Sequence, residues 1–108
     1  MPPATADIRM TWPMYHRNQC EVDGRVVQLS VQEADILSLL LASRGQTVTL
    51  PSILHALWPN PDREPESAEA VIYRVIYMLR RLLGPGVIFT VNKGLTSPSG
   101  YLIPRPGE

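Results

Sequence analysis

The chain has 108 residues, 44% of them hydrophobic, with ten basic and ten acidic side chains. That length holds one hydrophobic core rather than two, and the composition excludes a disordered chain. No apolar run approaches the ~18–20 residues of a membrane span, Asp7 and Arg9 stand where a secretory signal would be apolar, and Cys20 is the only cysteine, so no intrachain disulfide can form.

The histidines, His16 and His55, have no partner at zinc-ligand spacing, so neither a metal site nor a cofactor is expected. Free cysteine chemistry makes a reducing, cytoplasmic location the default. Zero net charge lacks the simplest mark of a nucleic-acid binder, a strongly basic domain. The charge is unevenly spread, however. Residues 1–66 carry five basic and eight acidic side chains, and residues 67–108 carry five basic and two acidic. A local basic face on a neutral molecule is therefore open. One domain over residues 1–108 is expected, with loose tails at about 1–7 and 104–108.

In chain order, Ile8, Met10 and Trp12 alternate with polar residues, as in a short strand ending at Pro13. Asp23-Gly24 lies between two apolar, β-branched runs within residues 20–29, a hairpin signal because a tight type I′ turn needs positive φ at both central residues. Ser30 and Glu33 form a capping box, and Ala34, Leu37, Leu40 and Leu41 follow at helical spacing until Arg44-Gly45. Thr47-Val48 reads as a short extended link. Thr49 caps a second helix with Pro51 in its first turn and Ile53, Leu54, Leu57 and Trp58 on its apolar face. Pro59 and Pro61 end it. Residues 59–66 form a polar loop, and Ser67 is the expected cap of a third helix from about Ala68 to Leu83, ended by Gly84-Pro85-Gly86. Val87–Val91 reads as a strand, 92–100 as a loop rich in Gly, Ser and Pro, and Tyr101–Ile103 as a returning strand. Three helices followed by a β-hairpin is the layout of a winged helix-turn-helix, an α+β fold.

The residues from Val22 to Ser30 with Glu33, then Val48-Thr49, Leu54–Trp58, Ile76, Leu79–Leu83, Ile88–Val91 and Gly100-Tyr101 resemble the OmpR/PhoB-type winged-helix DNA-binding domain of response regulators. The resemblance covers about residues 20–103. It implies an N-terminal antiparallel β-sheet, three helices, a C-terminal β-hairpin wing and a third helix placed in the major groove. The chain departs from the family in three ways. No receiver domain is expected within its 108 residues. Its wing loop, between Val91 and Gly100, is longer than the family's usual tight turn. Tyr73, Val75, Tyr77 and Met78 stand where polar or basic residues are more usual.

A step of ~100° per residue sorts the third helix. Ala68, Ile72, Val75, Ile76, Leu79, Leu82 and Leu83 fall on the core side, Ser67, Ala70, Arg74, Tyr77 and Arg81 opposite, and Tyr73, Met78 and Arg80 on the flanks. Arginine offers a bidentate fork to guanine or a charge to phosphate. Tyr77 can bond a phosphate or pack on a thymine methyl, and Ser67 and Ala68 can offer backbone amides to a phosphate. Lys93, beside Asn92 at the wing tip, would meet the adjacent backbone or minor groove. The candidate DNA-binding residues are thus Ser67, Ala70, Arg74, Tyr77, Arg81 and Lys93. Four of them also have a plain reading. The arginines can be a solvated face near a helix C-terminus, the tyrosines core-edge packing and Lys93 an ordinary loop cation. Tyr101 after Gly100 looks structural, with the glycine allowing a bend.

No nucleophile, base and orienter are brought together, and Gly84-Pro85-Gly86 follows a helix rather than preceding one, so catalysis is not expected. The expected function is sequence-specific binding of double-stranded DNA to regulate transcription, with a second copy on repeated half-sites. The rival is a winged-helix protein-interaction module that binds RNA polymerase, a sigma factor or another regulator, with residues 59–66 one surface for that contact. Exposed aromatic and Met side chains suit protein interfaces.

Overall fold

A computed structural model describes residues 8–10, 18–84, 86–92 and 98–105 of the chain. The expected strand from Ile8 to Trp12 is described only as β1, Ile8–Met10, and its continuation lies outside the described residues. β1 pairs antiparallel with β2 (Gln19–Val22), which pairs antiparallel with β3 (Arg25–Gln28). The β2–β3 turn has positive φ at both central residues, 51° at Asp23 and 85° at Gly24. An aspartate tolerates this region and a glycine favours it, which is why Asp-Gly marks the hairpin. Ile8, Cys20, Val22 and Val27 point into the core, while Arg9 and Glu21 pair on the outer face at 3.4 Å. Burial pushes the Cys20 thiol up from its ordinary pKa, and Arg25 only partly offsets this, so it sits there as a neutral thiol and a small hydrophobe.

Helix α1 spans Val31–Ala42. Its capping box is formed as expected. The Glu33 amide donates to Ser30 Oγ at 3.1 Å, and the Ser30 amide donates to Glu33 Oε1 at 2.9 Å. Ser30→Ala is expected to cost about 1 kcal/mol, read as a lower urea midpoint at constant slope. The helix ends two residues short of Arg44, with Ser43 as its C-cap. The Gly45 amide donates to Ile103 O at 2.8 Å, and Arg44 Nε donates to Pro104 O at 3.0 Å. These bonds tie the end of α1 to the C-terminal strand, and Pro104, expected to open a loose tail, is buried.

The expected link at Thr47-Val48 is instead a strand, β4 (Val48–Thr49). It pairs antiparallel with β6 (Pro98–Leu102), and β6 pairs with β5 (Phe89–Asn92), giving the order β4–β6–β5. The returning strand thus starts at Pro98, three residues before Tyr101, and β5 starts at Phe89. Val87 and Ile88, expected in that strand, are buried bends that close the core beneath it. Helix α2 (Leu50–Leu57) follows β4 directly, capped by Thr49, whose Oγ1 accepts from the Ser52 amide at 3.3 Å. A single 3-10 turn, Pro61–Arg63, starts at Asn60, whose side chain accepts from the Asp62 amide at 3.0 Å. Helix α3 spans Ala68–Leu83.

α1 packs on both α2 and α3. Leu37, Leu40, Ile53, Ile72, Ile76, Leu79 and Ile103 are fully buried where the three helices meet the two sheets. Each such side chain contributes roughly 1.5–3 kcal/mol on burial. α3 is therefore held along its whole inner face, and its outer face is displayed on a rigid support.

Candidate nucleic-acid interface

The inner face of α3 consists of Ala68, Ile72, Val75, Ile76, Leu79 and Leu83, all buried, with Leu82 half-buried beside them. The opposite face presents Ala70, Arg74, Tyr77 and Arg81 to solvent, with Ser67 at its start. This is the division that the helical period predicts. Tyr77 is 57% exposed, and Tyr73 and Met78 on the flanks are each 38% exposed, so none of the three is a core residue. The Arg81 guanidinium lies 5.9 Å from the centre of the Tyr77 ring, a cation–π contact that lines up the two side chains along the stripe.

Two expectations at the N-terminus of α3 need correction. Ser67 holds the cap position, but its side chain makes no capping bond to the helix. The Ala68 amide is taken by Pro65 O at 3.1 Å, so it is not free to meet a phosphate. The loop before it bends back on itself and satisfies that donor internally. Thr49, by contrast, is occupied as a cap, and its hydroxyl also donates to Ser52 Oγ at 3.0 Å. Lys93 lies outside the described residues.

Arg80 takes a role that the sequence left open. It is half-buried on the flank of α3 that faces the C-terminal sheet. Its Nε and Nη2 donate to Ile88 O at 3.2 and 3.0 Å, and Nη2 also donates to Thr90 Oγ1 at 2.6 Å. Its guanidinium lies 5.9 Å from the centre of the buried Tyr101 ring. Burial pushes the Tyr101 phenol above its ordinary pKa, nearby Tyr73 adds to the rise and Arg80 opposes it. Tyr101 is thus a neutral ring that Arg80 covers. One signal for this was available in the sequence. Adjacent helix residues stand ~100° apart, so Arg80 and Arg81 cannot share the outward face.

Gly100 sits at an irregularity of β6, where the pairing with β5 shifts register between Val91 and Asn92. It is paired with both Thr49 and Val91 in the middle of the C-terminal sheet. A Cβ there would collide with the Val48 carbonyl oxygen and lie 2.9 Å from the Val48 carbonyl carbon. The missing side chain is what lets β4 reach β6.

The remaining groups are plainly placed. His55 is exposed on α2, and Asp62, Arg63, Glu64 and Glu66 are exposed along the segment before α3. Among the described residues no cluster of His, Cys, Asp and Glu could hold a metal ion, and no helix is long and apolar enough to cross a membrane.

Three helices, a β4–β6–β5 sheet whose last two strands form the hairpin, and an arginine-bearing helix face define a winged helix-turn-helix domain. The family described as "Transcriptional regulatory protein, C terminal" matches residues 24–94. The chain belongs to this family, the OmpR/PhoB-type winged-helix DNA-binding domains, which are not enzymes. Among solved structures, it is similar to the C-terminal domain of the nisin resistance regulator NsrR, a lantibiotic response regulator. Identity is 28%, with 85% of this chain and 90% of that chain covered and a TM-score of 0.64. It is also similar to the RstA DNA-binding domain of Klebsiella pneumoniae, solved in complex with the RstA box. Identity there is 26%, with 80% of this chain and 82% of that chain covered and a TM-score of 0.60. Mycobacterium tuberculosis EmbR, solved with a low-affinity phosphopeptide, shares the fold at 24% identity and a TM-score of 0.73. That match covers 97% of this chain and 26% of EmbR. No curated protein sequence matches the chain.

Proposed function

We propose that the chain is a cytoplasmic transcription regulator that binds double-stranded DNA sequence-specifically. α3 enters the major groove, and the β5–β6 wing, with Lys93 between its strands in sequence, lies on the flanking backbone. Residues 1–108 act as one domain that reads one half-site, and a second copy reads a repeated half-site. The observation that carries this reading is the outward stripe of α3. Arg74 and Arg81 are exposed there, and among the described residues no carboxylate pairs with either. Two unneutralised guanidiniums on one rigid helix face suit phosphate and guanine, even on a chain of zero net charge. The solved complex of the similar RstA DNA-binding domain with the RstA box supports DNA binding by this chain.

The test is fluorescence anisotropy with a random-sequence duplex across a salt series. Affinity is expected to rise steeply as salt falls, through counterion release. Once a preferred site has been selected, Arg74→Ala is expected to weaken binding to it about tenfold and relax preference at one base pair. A binding curve that Arg74→Ala leaves unchanged removes Arg74 from the interface.

A second reading rests on the exposure of Tyr73, Tyr77 and Met78, 38%, 57% and 38% respectively. In that reading the helix docks on RNA polymerase, a sigma factor or another regulator, with exposed residues of the 59–66 segment adding contacts. Such an apolar contact persists at high salt, and no duplex binding would appear at low salt.

A further inference from the structure

We infer that α3 recognises thymine through its 5-methyl group, at positions met by Ala70 and Tyr77. The inference rests on the DNA-binding reading above and names the bases that the same face selects. Four side chains alternate along the outward stripe in the order Ala70, Arg74, Tyr77, Arg81, apolar then cationic, twice. With ~1.5 Å of rise per residue, the two apolar members lie about 10 Å apart along the axis, with Arg74 between them. Both are exposed, Tyr77 to 57%, so neither is occupied by the fold. The Tyr77 ring lies 5.9 Å from the Arg81 guanidinium, a cation–π contact that favours one placement of the ring on this face.

The residue types decide which base this surface can read. In the major groove an A·T pair shows the adenine N6 donor and N7 acceptor, the thymine O4 acceptor and the thymine methyl. The bidentate match to adenine is Asn or Gln, and residues 67–83 contain neither. Ala70 has no polar side-chain atom at all, so its position can discriminate only by apolar contact or by exclusion. The methyl is the one apolar group on a major-groove base edge, and it marks thymine against cytosine on the same groove wall. Arg74, between the two apolar positions, is the member of the stripe suited to guanine. A half-site with thymines on both sides of a guanine fits the stripe.

Deoxyuridine tests this directly, because it keeps the base pair and removes only the methyl. A duplex selected from a random pool by the full chain is remade with each thymine replaced singly by deoxyuridine. At one or two thymines the wild-type chain is expected to bind about fourfold more weakly, the value of one buried methyl. At the thymine read by Ala70, Ala70→Gly, which removes the contacting Cβ, should bind the thymine and deoxyuridine duplexes with nearly equal affinity. Tyr77→Gln should do the same at the other. Both positions are exposed, and circular dichroism of each variant should match the parent. A general loss of folding or of phosphate contacts would weaken both duplexes alike and leave their ratio unchanged, which would overturn the assignment to these residues. Salt-dependent binding with no loss at any deoxyuridine would overturn methyl recognition and leave the DNA-binding reading standing. Absence of duplex binding at low salt would overturn both.

Discussion

Gly100→Ala is expected to destabilise the fold by about 3 kcal/mol, at the top of the range for overpacking. The cost does not come from backbone conformation, since Gly100 is not among the glycines with positive φ. It comes from a backbone neighbour. The new Cβ would overlap the Val48 carbonyl oxygen, with the Val48 carbonyl carbon at 2.9 Å and Thr47 Cγ2 at 3.0 Å. A flexible side chain could swing aside, but a carbonyl in a paired strand cannot. Thr47→Ala should therefore not rescue the variant. The strain falls on the Thr49–Gly100 pairing, and Thr49 is also the cap of α2. Separation of β4 from β6 thus loosens the wing and frays the start of α2 together. Chemical denaturation should show the lower midpoint, and amide exchange should show the earliest loss of protection around Val48–Ser52. An unchanged midpoint would mean that β4 shifts freely against β6.

That close approach marks where the sequence stopped being readable. The β2–β3 turn, the capping box of α1, the Thr49 cap and the two faces of α3 were all legible, because each is set by residues within one or two turns of one another. The pairing of Val48 with Tyr101 and of Thr49 with Gly100 joins residues about half a chain apart, and no local pattern records it. Val87 and Ile88 misled for a related reason. Two apolar β-branched residues look like strand, yet here they fill the space between the end of α3 and β5 and stay unpaired. At the candidate interface, exposure of Ala70, Arg74, Tyr77 and Arg81 followed from the helical period. The amide of Ala68 did not, because its partner, Pro65 O, depends on how the preceding loop folds back.

Arg80 separates the two arginines of its pair by role, and its loss should be nearly as damaging as the glycine change. The side chain makes three hydrogen bonds, two to Ile88 O and one to Thr90 Oγ1, and covers the Tyr101 ring. A charged donor in a part-buried site is worth about 1.5–3 kcal/mol, and Arg80→Ala also strands the Ile88 carbonyl at the base of β5. A loss of about 2 kcal/mol is therefore expected. Arg80→Lys should recover little of it, because an ammonium cannot span the carbonyl and the hydroxyl as the guanidinium fork does. The function should suffer through geometry. With α3 and the wing no longer braced, amide protection at Phe89–Val91 should fall, and DNA affinity should fall at every sequence. The salt slope is the deciding readout. A brace that touches no phosphate leaves the slope of affinity against salt unchanged, whereas removing a phosphate contact lowers it by about one. Arg81→Ala, on the outward face, should show the reverse pattern, with a reduced slope or altered base preference and a stability within about 0.5 kcal/mol of the parent. If Arg80→Ala instead kept full stability and lost one unit of slope, Arg80 would be a DNA contact and the wing would be held by β6 alone.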